Sequence, residues 1–305
     1  MFKEKPLISV CMITYNQELY ISDAIKGVLM QETNFPLELI IADDCSTDST
    51  EKIVLSFIEN HAKGKWIKYV KHSKNKGMIE NFSWALKKCK GDYIAICEGD
   101  DFWTDSSKLE NQIDFLESNP SYSLCFHDVQ ILQPDGRIYS DLEMEKRVIN
   151  KKSTILEMIL FGNYIHTPSV VFRNWLIEFP KEFELSPIGD YFLWILLGEK
   201  GDYFKIEGSY AVYRNKVGAF STQSSNERAH QFCYTLELIS KYINDLSLKR
   251  ILDLRIKEIK ISTFPYKANL DSSQFNSKKY IRDNFSSKEL VFVVLYKCFR
   301  ALRLK

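Results

Sequence analysis

The chain has 305 residues, 45% hydrophobic and 27% charged, with 41 basic against 40 acidic side chains and a formal charge of +1. This composition excludes a disordered or fibrous chain, and the balanced charge gives no global pull toward nucleic acid, so no nucleic-acid partner is expected. The longest uninterrupted apolar stretch, Val291 to Tyr296, is far short of the about 20 residues that span a bilayer, and the first residues carry no apolar run, so a cytoplasmic chain without transmembrane helix or secretory signal is expected.

Up to about residue 130, short wholly apolar runs alternate with amphipathic stretches of helix length. A parallel sheet buried on both faces reads this way. Strands are predicted at Leu7 to Ile13, Leu37 to Ala42, Trp66 to Val70, Tyr93 to Cys97 and Ser123 to Phe126. Helices are predicted near 20–31, 48–61, 78–89 and 106–118, the second capped by Ser46 or Thr47 with Asp48 and Glu51 in its first turn. Such a βαβ series places ligands beyond the carboxyl ends of the strands. Pro134-Asp135-Gly136 then predicts a hairpin, followed by a helix near 153–161, a strand at Ser169 to Phe172, a helix near 190–198 and strands near 203–206 and 209–213. From about 222 onward the pattern is almost wholly helical. The seven cysteines are odd in number and nowhere spaced as CxxC, which argues for small core residues rather than a disulfide framework or a structural zinc.

Each apolar run stops at a polar cluster. The first ends in Thr14-Tyr15-Asn16-Gln17, the second in Asp43-Asp44-Cys45-Ser46-Thr47-Asp48, and the fourth in Glu98-Gly99-Asp100-Asp101-Phe102-Trp103. Three carboxylates within four residues repel one another unless a cation or a set of donors compensates them, and oxygen ligands suit Mg²⁺ or Mn²⁺. A solvated acidic turn is the plainer alternative. Asp43 and Asp44 read either as acceptors for a nucleobase amide or ribose hydroxyl, with Tyr15 able to stack on the base, or as helix-capping acids. Asp190, before the apolar Tyr191-Phe192-Leu193-Trp194, is either an N-cap or a partly desolvated general base. Arg214 and Lys216 form a basic loop that meets a diphosphate or is a solvated turn. Lys71, His72, Lys74 and Lys76 read as a solvated face, and His166 as a loop residue beside the pocket. No GxGxxG, GxxxxGK[ST] or GxSxG motif is present, which disfavours dinucleotide, P-loop and α/β-hydrolase chemistry.

Four blocks in order resemble the inverting family 2 glycosyltransferases of GT-A fold: Pro6 to Asn16, Glu38 to Asp48, Gly91 to Trp103, and Lys108-Leu-Glu-Asn-Gln112. Gly189-Asp190 and Tyr213-Arg214 resemble later family blocks more loosely. The resemblance implies a mixed, mainly parallel α/β sheet flanked by helices. It divides the chain into a catalytic domain over 1–220, with a nucleotide-binding half (1–105) and an acceptor-binding half (106–220), and a helical extension over 221–305. It implies nucleotide contacts from Thr14, Tyr15, Asn16, Asp43, Asp44, Glu98 and Gly99, metal ligation by Asp100 and Asp101, and Asp190 as the catalytic base. The implied cofactor is Mn²⁺ or Mg²⁺, and the implied partners are a nucleotide-sugar donor, here a UDP-sugar, and a glycan or lipid-linked glycan acceptor in surface-polysaccharide assembly.

Two departures stand out. Glu98 replaces the first Asp of the family's DxD element, and Lys216 stands where the family often has a His. Lys cannot serve as a metal ligand unless deprotonated, which leaves it to contact the diphosphate directly or do nothing. Beyond 220 the resemblance weakens. Glu289 to Leu304 sets Phe292, Leu295, Tyr296, Phe299 and Leu302 on one helical face with basic residues near its end, a pattern that fits either a helix lying on anionic membrane at the inner face or one packed on the domain. A non-catalytic sugar-nucleotide-binding subunit and a nucleotidyltransferase stay open as rival readings.

Overall fold

The computed structural model describes residues 7–145, 150–175, 178–263 and 298. Its first half runs β1 (Ile8–Thr14), α1 (Ile21–Leu29), β2 (Leu37–Asp43), α2 (Thr50–Asn60), β3 (Ile67–Lys71), α3 (Met78–Lys88) and β4 (Tyr93–Ile96). All seven residues of β2 and all four of β4 are buried, as strands covered on both faces must be. β1 pairs in parallel with β2, from Ile8 opposite Leu37 to Thr14 opposite Asp43, and in parallel with β4 on its other side. Three strands therefore end at one edge of the sheet, where the polar clusters begin. α1 turns Ala24, Ile25, Val28 and Leu29 into the core, and Gly27 lets it approach β5 (Phe102–Trp103): a Cβ there would lie 2.7 Å from the Trp103 amide nitrogen.

The chain continues through α4 (Lys108–Ser118), β6 (Tyr122–Leu132), β7 (Ile138–Ser140), α5 (Asp141–Glu145), β8 (Lys152–Ser153), α6 (Ile155–Phe161), a 3₁₀ turn (Thr167–Ser169), β9 (Val171–Arg173), α7 (Lys181–Glu184), α8 (Gly189–Gly198), β10 (Asp202–Arg214), α9 (Ser225–Tyr242) and α10 (Leu246–Thr263). The sheet order is β3-β2-β1-β4-β9-β6-β10-β5, with β7 on β6 and β8 on β10. β9 runs antiparallel to both β4 and β6, and β10 runs parallel to β6.

Two local expectations are corrected and one short strand is added. The runs at 203–206 and 209–213 are one strand, β10, whose register shifts between Lys205 and Ser209 around Gly208 at φ +105°. Neither Ser46 nor Thr47 caps α2, because the helix begins at Thr50 with Ser49 at its N-cap and the Ser46 hydroxyl is used elsewhere. Phe102-Trp103 forms a short strand antiparallel to β10.

The chain forms two compact units. One comprises the described parts of Met1–Thr154, Asn163–Phe179 and Leu196–Thr222; the other comprises Ile155–Gly162, Pro180–Ile195 and the described part of Gln223–Lys305. The second unit is thus built from α6, α7, most of α8, α9 and α10. Tyr191 Oη donates to the Met158 carbonyl at 3.1 Å, and the Phe192 ring meets those of Phe183 and Tyr242. Ser224 and Glu227 form a reciprocal capping box that starts α9. Apart from Cys298, the amphipathic segment Glu289 to Leu304 lies outside the described residues. Of the seven cysteines, Cys11, Cys89, Cys97, Cys125 and Cys233 are buried.

Candidate active site

The loops after β1 and β2 are fastened to each other. Asn16 N donates to Ser46 Oγ at 2.9 Å and Thr47 N to Asn16 Oδ1 at 2.8 Å. Gln17 N donates to Thr50 Oγ1, Glu18 N to Asp48 Oδ2, and Ser49 N back to Glu18 Oε2, each within 2.9 Å. Burial alone would raise the Asp48 carboxyl, but the hydrogen bonds from Thr50 and Glu18 hold it below the usual carboxylate range. Asn16 and Cys45 both adopt left-handed backbone, at φ 50° and 69°, a conformation that non-glycine residues hold only where surrounding contacts enforce it. The Tyr15 ring stands at this edge with 48% of its surface exposed.

Asp43 is fully buried, its Oδ1 accepting from Ser46 N at 2.7 Å and its Oδ2 from the Tyr69 hydroxyl at 2.7 Å. Burial and this carboxylate push the Tyr69 phenol up. Asp44 accepts from Lys76 N at 2.7 Å and Gly77 N at 2.9 Å, and its own amide donates to the Thr14 carbonyl. Of the loop read from sequence as a solvated face, Lys71 and Lys74 are exposed, while the Lys76 and Gly77 amides clasp Asp44. His72 is buried, with its Nε2 3.0 Å from Asn81 Oδ1.

The acidic turn follows β4 and is pinned to β1 by Gly99 N donating to the Ile13 carbonyl at 3.0 Å. A Cβ on Gly99 would fall 2.3 Å from Gln17 Oε1 and 2.9 Å from Thr14 Oγ1, so the glycine brings the turn against the β1 loop. Asp100 and Asp101 are both buried. Burial raises the Asp100 carboxyl against the opposing effects of Gln17 and Arg214, and burial, reinforced by the neighbouring Asp100 and Glu98 charges, raises Asp101 well above the carboxylate range. Asp101 Oδ1 accepts from Arg214 N at 2.8 Å, while its Oδ2 is buried with no hydrogen-bond partner.

This donor set fits a divalent ion. Among the described residues no three His, Cys, Asp or Glu side chains converge as a complete metal cage, so such an ion would complete its shell with ligand oxygens. Asp100 and Asp101 are the residues that would hold it.

Arg214 sits beneath this turn. Its Nη1 donates to the Asp100 carbonyl and its Nη2 to Asp23 Oδ2, both at 2.7 Å, and its guanidinium lies over the rings of Tyr20 and Phe102. Arg214 is thus committed to the protein rather than offered to a diphosphate. Asp23 was invisible as a partner because nothing in a helix-surface acid signals a contact 191 positions away. The turn after β10 does carry Lys216 exposed and at φ 59°, and a Cβ on Gly218 would lie 3.0 Å from Asp100 Oδ2. The first unit therefore brings together Thr14, Tyr15, Asn16, Asp43, Asp44, Glu98 to Asp101 and the turn bearing Lys216. Asp190 belongs to the second unit, half-buried in the first turn of α8.

The sequence pattern of glycosyl transferase family 2 matches residues 9–179. The chain belongs to this family. Its architecture, a mixed sheet with flanking helices and a helical C-terminal part, is the GT-A fold. A protein of Mycobacterium tuberculosis is 34% identical over 207 residues, 68% of this chain and 58% of the relative, so the chain spans under two thirds of that relative's length. The Escherichia coli UDP-Glc:alpha-D-GlcNAc-diphosphoundecaprenol beta-1,3-glucosyltransferase WfgD is 28% identical, covering 74% of this chain and 84% of its own. The mannosyltransferase PcManGT of Pyrobaculum calidifontis, solved with GDP-Man and Mn²⁺, superposes with a TM-score of 0.61 at 16% identity, covering 98% of this chain and 84% of its own. Among the described residues no helix of this family 2 member is long and apolar enough to cross a membrane.

Proposed function

We propose that the protein is an inverting, metal-dependent glycosyltransferase that moves a sugar from a nucleotide donor, a UDP-sugar, to a glycan or lipid-linked glycan in surface-polysaccharide assembly. The observation that carries this reading is the acidic turn: buried carboxylates at a strand end, one oxygen of Asp101 without a partner, beside two fastened loops that present Tyr15. Family membership and the names of its relatives support it; WfgD is named for UDP-Glc, PcManGT was solved with GDP-Man, and the fold alone does not choose between the bases.

On this reading Tyr15 stacks on the base, and Thr14, Asn16 and the Asp44 wall shape the nucleoside pocket. Asp43 supports that wall from behind. Glu98 and Gly99 border the ribose and diphosphate, and Lys216 offers its ammonium to the diphosphate. Asp100 and Asp101 would hold a divalent ion, which would supply Lewis-acid neutralisation of the charge on the leaving diphosphate. Asp190 takes the proton of the acceptor hydroxyl as that oxygen attacks the anomeric carbon from the face opposite the leaving group, which inverts the centre. The amphipathic segment at 289–304 would bring the enzyme to anionic lipid at the cytoplasmic face.

The test is nucleoside diphosphate release from a panel of UDP-, GDP- and dTDP-sugars with Mn²⁺ or Mg²⁺. Release from one donor, abolished by EDTA and by Asp100→Ala, is expected, and Asp190→Ala should lose transfer to acceptor while still binding the diphosphate. No release, with no thermal shift by UDP, GDP or dTDP, would remove the nucleotide-sugar reading.

A further inference from the structure

On the donor reading, the sheet order bears on which side of the acidic turn a donor's sugar would lie. The nucleoside loops follow β1 and β2, the acidic turn follows β4, and β4 stands between β1 and β9. A donor whose base lies over the first two strands and whose diphosphate lies over 98–101 carries its sugar onward, toward β9. Because β9 is antiparallel to β4, with Val171 opposite Ala95, it is the beginning of β9 that meets this edge. The residues there are His166 and the turn Thr167–Ser169.

This turn is built to a fixed position. Trp103 Nε1 donates to the Pro168 carbonyl at 2.9 Å, Gln112 Nε2 to the Ser169 carbonyl at 2.9 Å, and Ser169 Oγ to the His166 carbonyl at 2.7 Å. Thr167 Oγ1 donates to Glu98 Oε2 at 3.2 Å, which ties the turn to the acidic residues. The His166 ring packs on that of Tyr213 with centroids 4.9 Å apart, and its Nε2 lies 2.9 Å from the buried Asp141 Oδ1, an ion-pair approach whose angle is not that of a hydrogen bond. The other oxygen of Asp141 accepts from Val129 N at 3.1 Å, which fixes the carboxylate. The two side chains keep 20% and 18% of their surface accessible, so a ligand reaches them.

A carboxylate this near to one imidazole nitrogen favours a proton on it, and the packing on Tyr213 holds the ring. With the proton on Nε2, Nδ1 is an acceptor for a hydroxyl. The carboxylates tied to this turn, Glu98 and Asp141, disfavour a charged sugar acid and suit a neutral hydroxyl. Resting on the donor reading above, we infer that His166, oriented by Asp141, contacts a hydroxyl of the donor's neutral hexose and determines which sugar is accepted. A polar group held in place to bond one hydroxyl discriminates against a donor that presents that hydroxyl differently.

The experiment is calorimetric titration of the purified full chain with UDP and GDP, and with UDP- or GDP-hexoses that are epimers of one another, comparing the unaltered chain with His166→Ala, His166→Gln and Asp141→Asn. The unaltered chain should prefer one epimer. In His166→Ala, affinity for the bare diphosphate should stay within twofold while the preference between epimers falls at least tenfold; His166→Gln, which keeps an acceptor, should restore part of it, and Asp141→Asn should weaken it. An unaltered chain without preference, a preference unchanged within threefold in both His166 variants, or diphosphate affinity falling in step with sugar affinity would overturn the role. Failure of the unaltered chain to bind either diphosphate would instead remove the donor reading, and this inference with it.

Discussion

The Arg214 amide, at the end of β10, donates to the Asp101 carboxylate at 2.8 Å across 113 positions of sequence. The acidic turn after β4 and the last strand of the first unit are therefore one construction, joined again where β5 pairs with β10. A carboxylate so far up from its ordinary range stays in place because this amide and the guanidinium of the same residue are directed at the turn from below.

Arg214→Ala removes bonds to the Asp100 carbonyl and to Asp23, together with the cover of two aromatic rings. Since Asp23 is partly exposed, the expected loss is modest, about 1–3 kcal/mol by urea denaturation, while donor turnover falls at least tenfold. Arg214→Lys should recover little, because one ammonium cannot reach both partners in the fork geometry. Turnover that survives in the alanine variant would show the turn holding its shape unaided.

Gly99→Ala tests the close approach of the acidic turn to the β1 loop. The flexible end of Gln17 can swing away, but Thr14 Oγ1 at 2.9 Å is on a short side chain and must shift with its strand. A stability loss of about 1–3 kcal/mol is expected, with weaker binding of the diphosphate read by titration. Affinity equal to that of the unaltered chain would mean the two loops move independently.

Divalent ions should stabilise the protein more at pH 7.5 than at pH 5. Asp100 and Asp101 are raised by burial, so between the ordinary carboxylate value of about 3.9 and their folded values the folded chain holds more protons than the unfolded one. Their contribution to stability therefore falls as pH rises through that window, and above it both charges are buried together. Mn²⁺ or Mg²⁺ relieves this where the carboxylates are ionised. Melting curves with and without ion at the two pH values measure it, and Asp100→Asn should shrink the difference.

Lys108 is fully buried, its ammonium bonded to Gln112 Oε1 at 2.7 Å and lying over the Trp103 ring, and burial lowers it to about 7. Below that value the folded chain holds a buried cation and the cost is complete. Between about 7 and the ordinary lysine value near 10.4 the unfolded chain holds the extra proton, so stability from this group rises with pH. Unfolding of the chain and of Lys108→Met, followed from pH 6 to 9, should differ by a term that changes by up to about 1.4 kcal/mol per pH unit above 7 and is flat below it.

The parallel half of the sheet was legible because strands covered on both faces must be apolar throughout, so Leu37 to Ala42 or Tyr93 to Cys97 can be little else. The polar clusters that end those strands marked the sheet edge at which the candidate site is proposed. What stayed hidden depends on contacts distant in sequence: Gly208 made β10 read as two pieces, Phe102-Trp103 looked like loop until its partner strand was known, and Arg214 looked like a free basic residue. Lys108 was hidden for another reason, since a lysine at a helix start is ordinarily solvated and only its i, i+4 spacing to Gln112 hinted otherwise. His166 was placed beside a pocket without its carboxylate, because nothing in Asp141 pointed across the hairpin.

The hydrogen bonds that lace Asn16, Gln17 and Glu18 to the segment from Ser46 to Thr50 leave little chain to be ordered when a ligand arrives. On the proposed donor reading, capture at that rim would be an encounter with a finished surface, limited by diffusion and orientation rather than by folding of the loops. Nucleotides that differ in base should enter at similar speeds and be told apart by how long they stay.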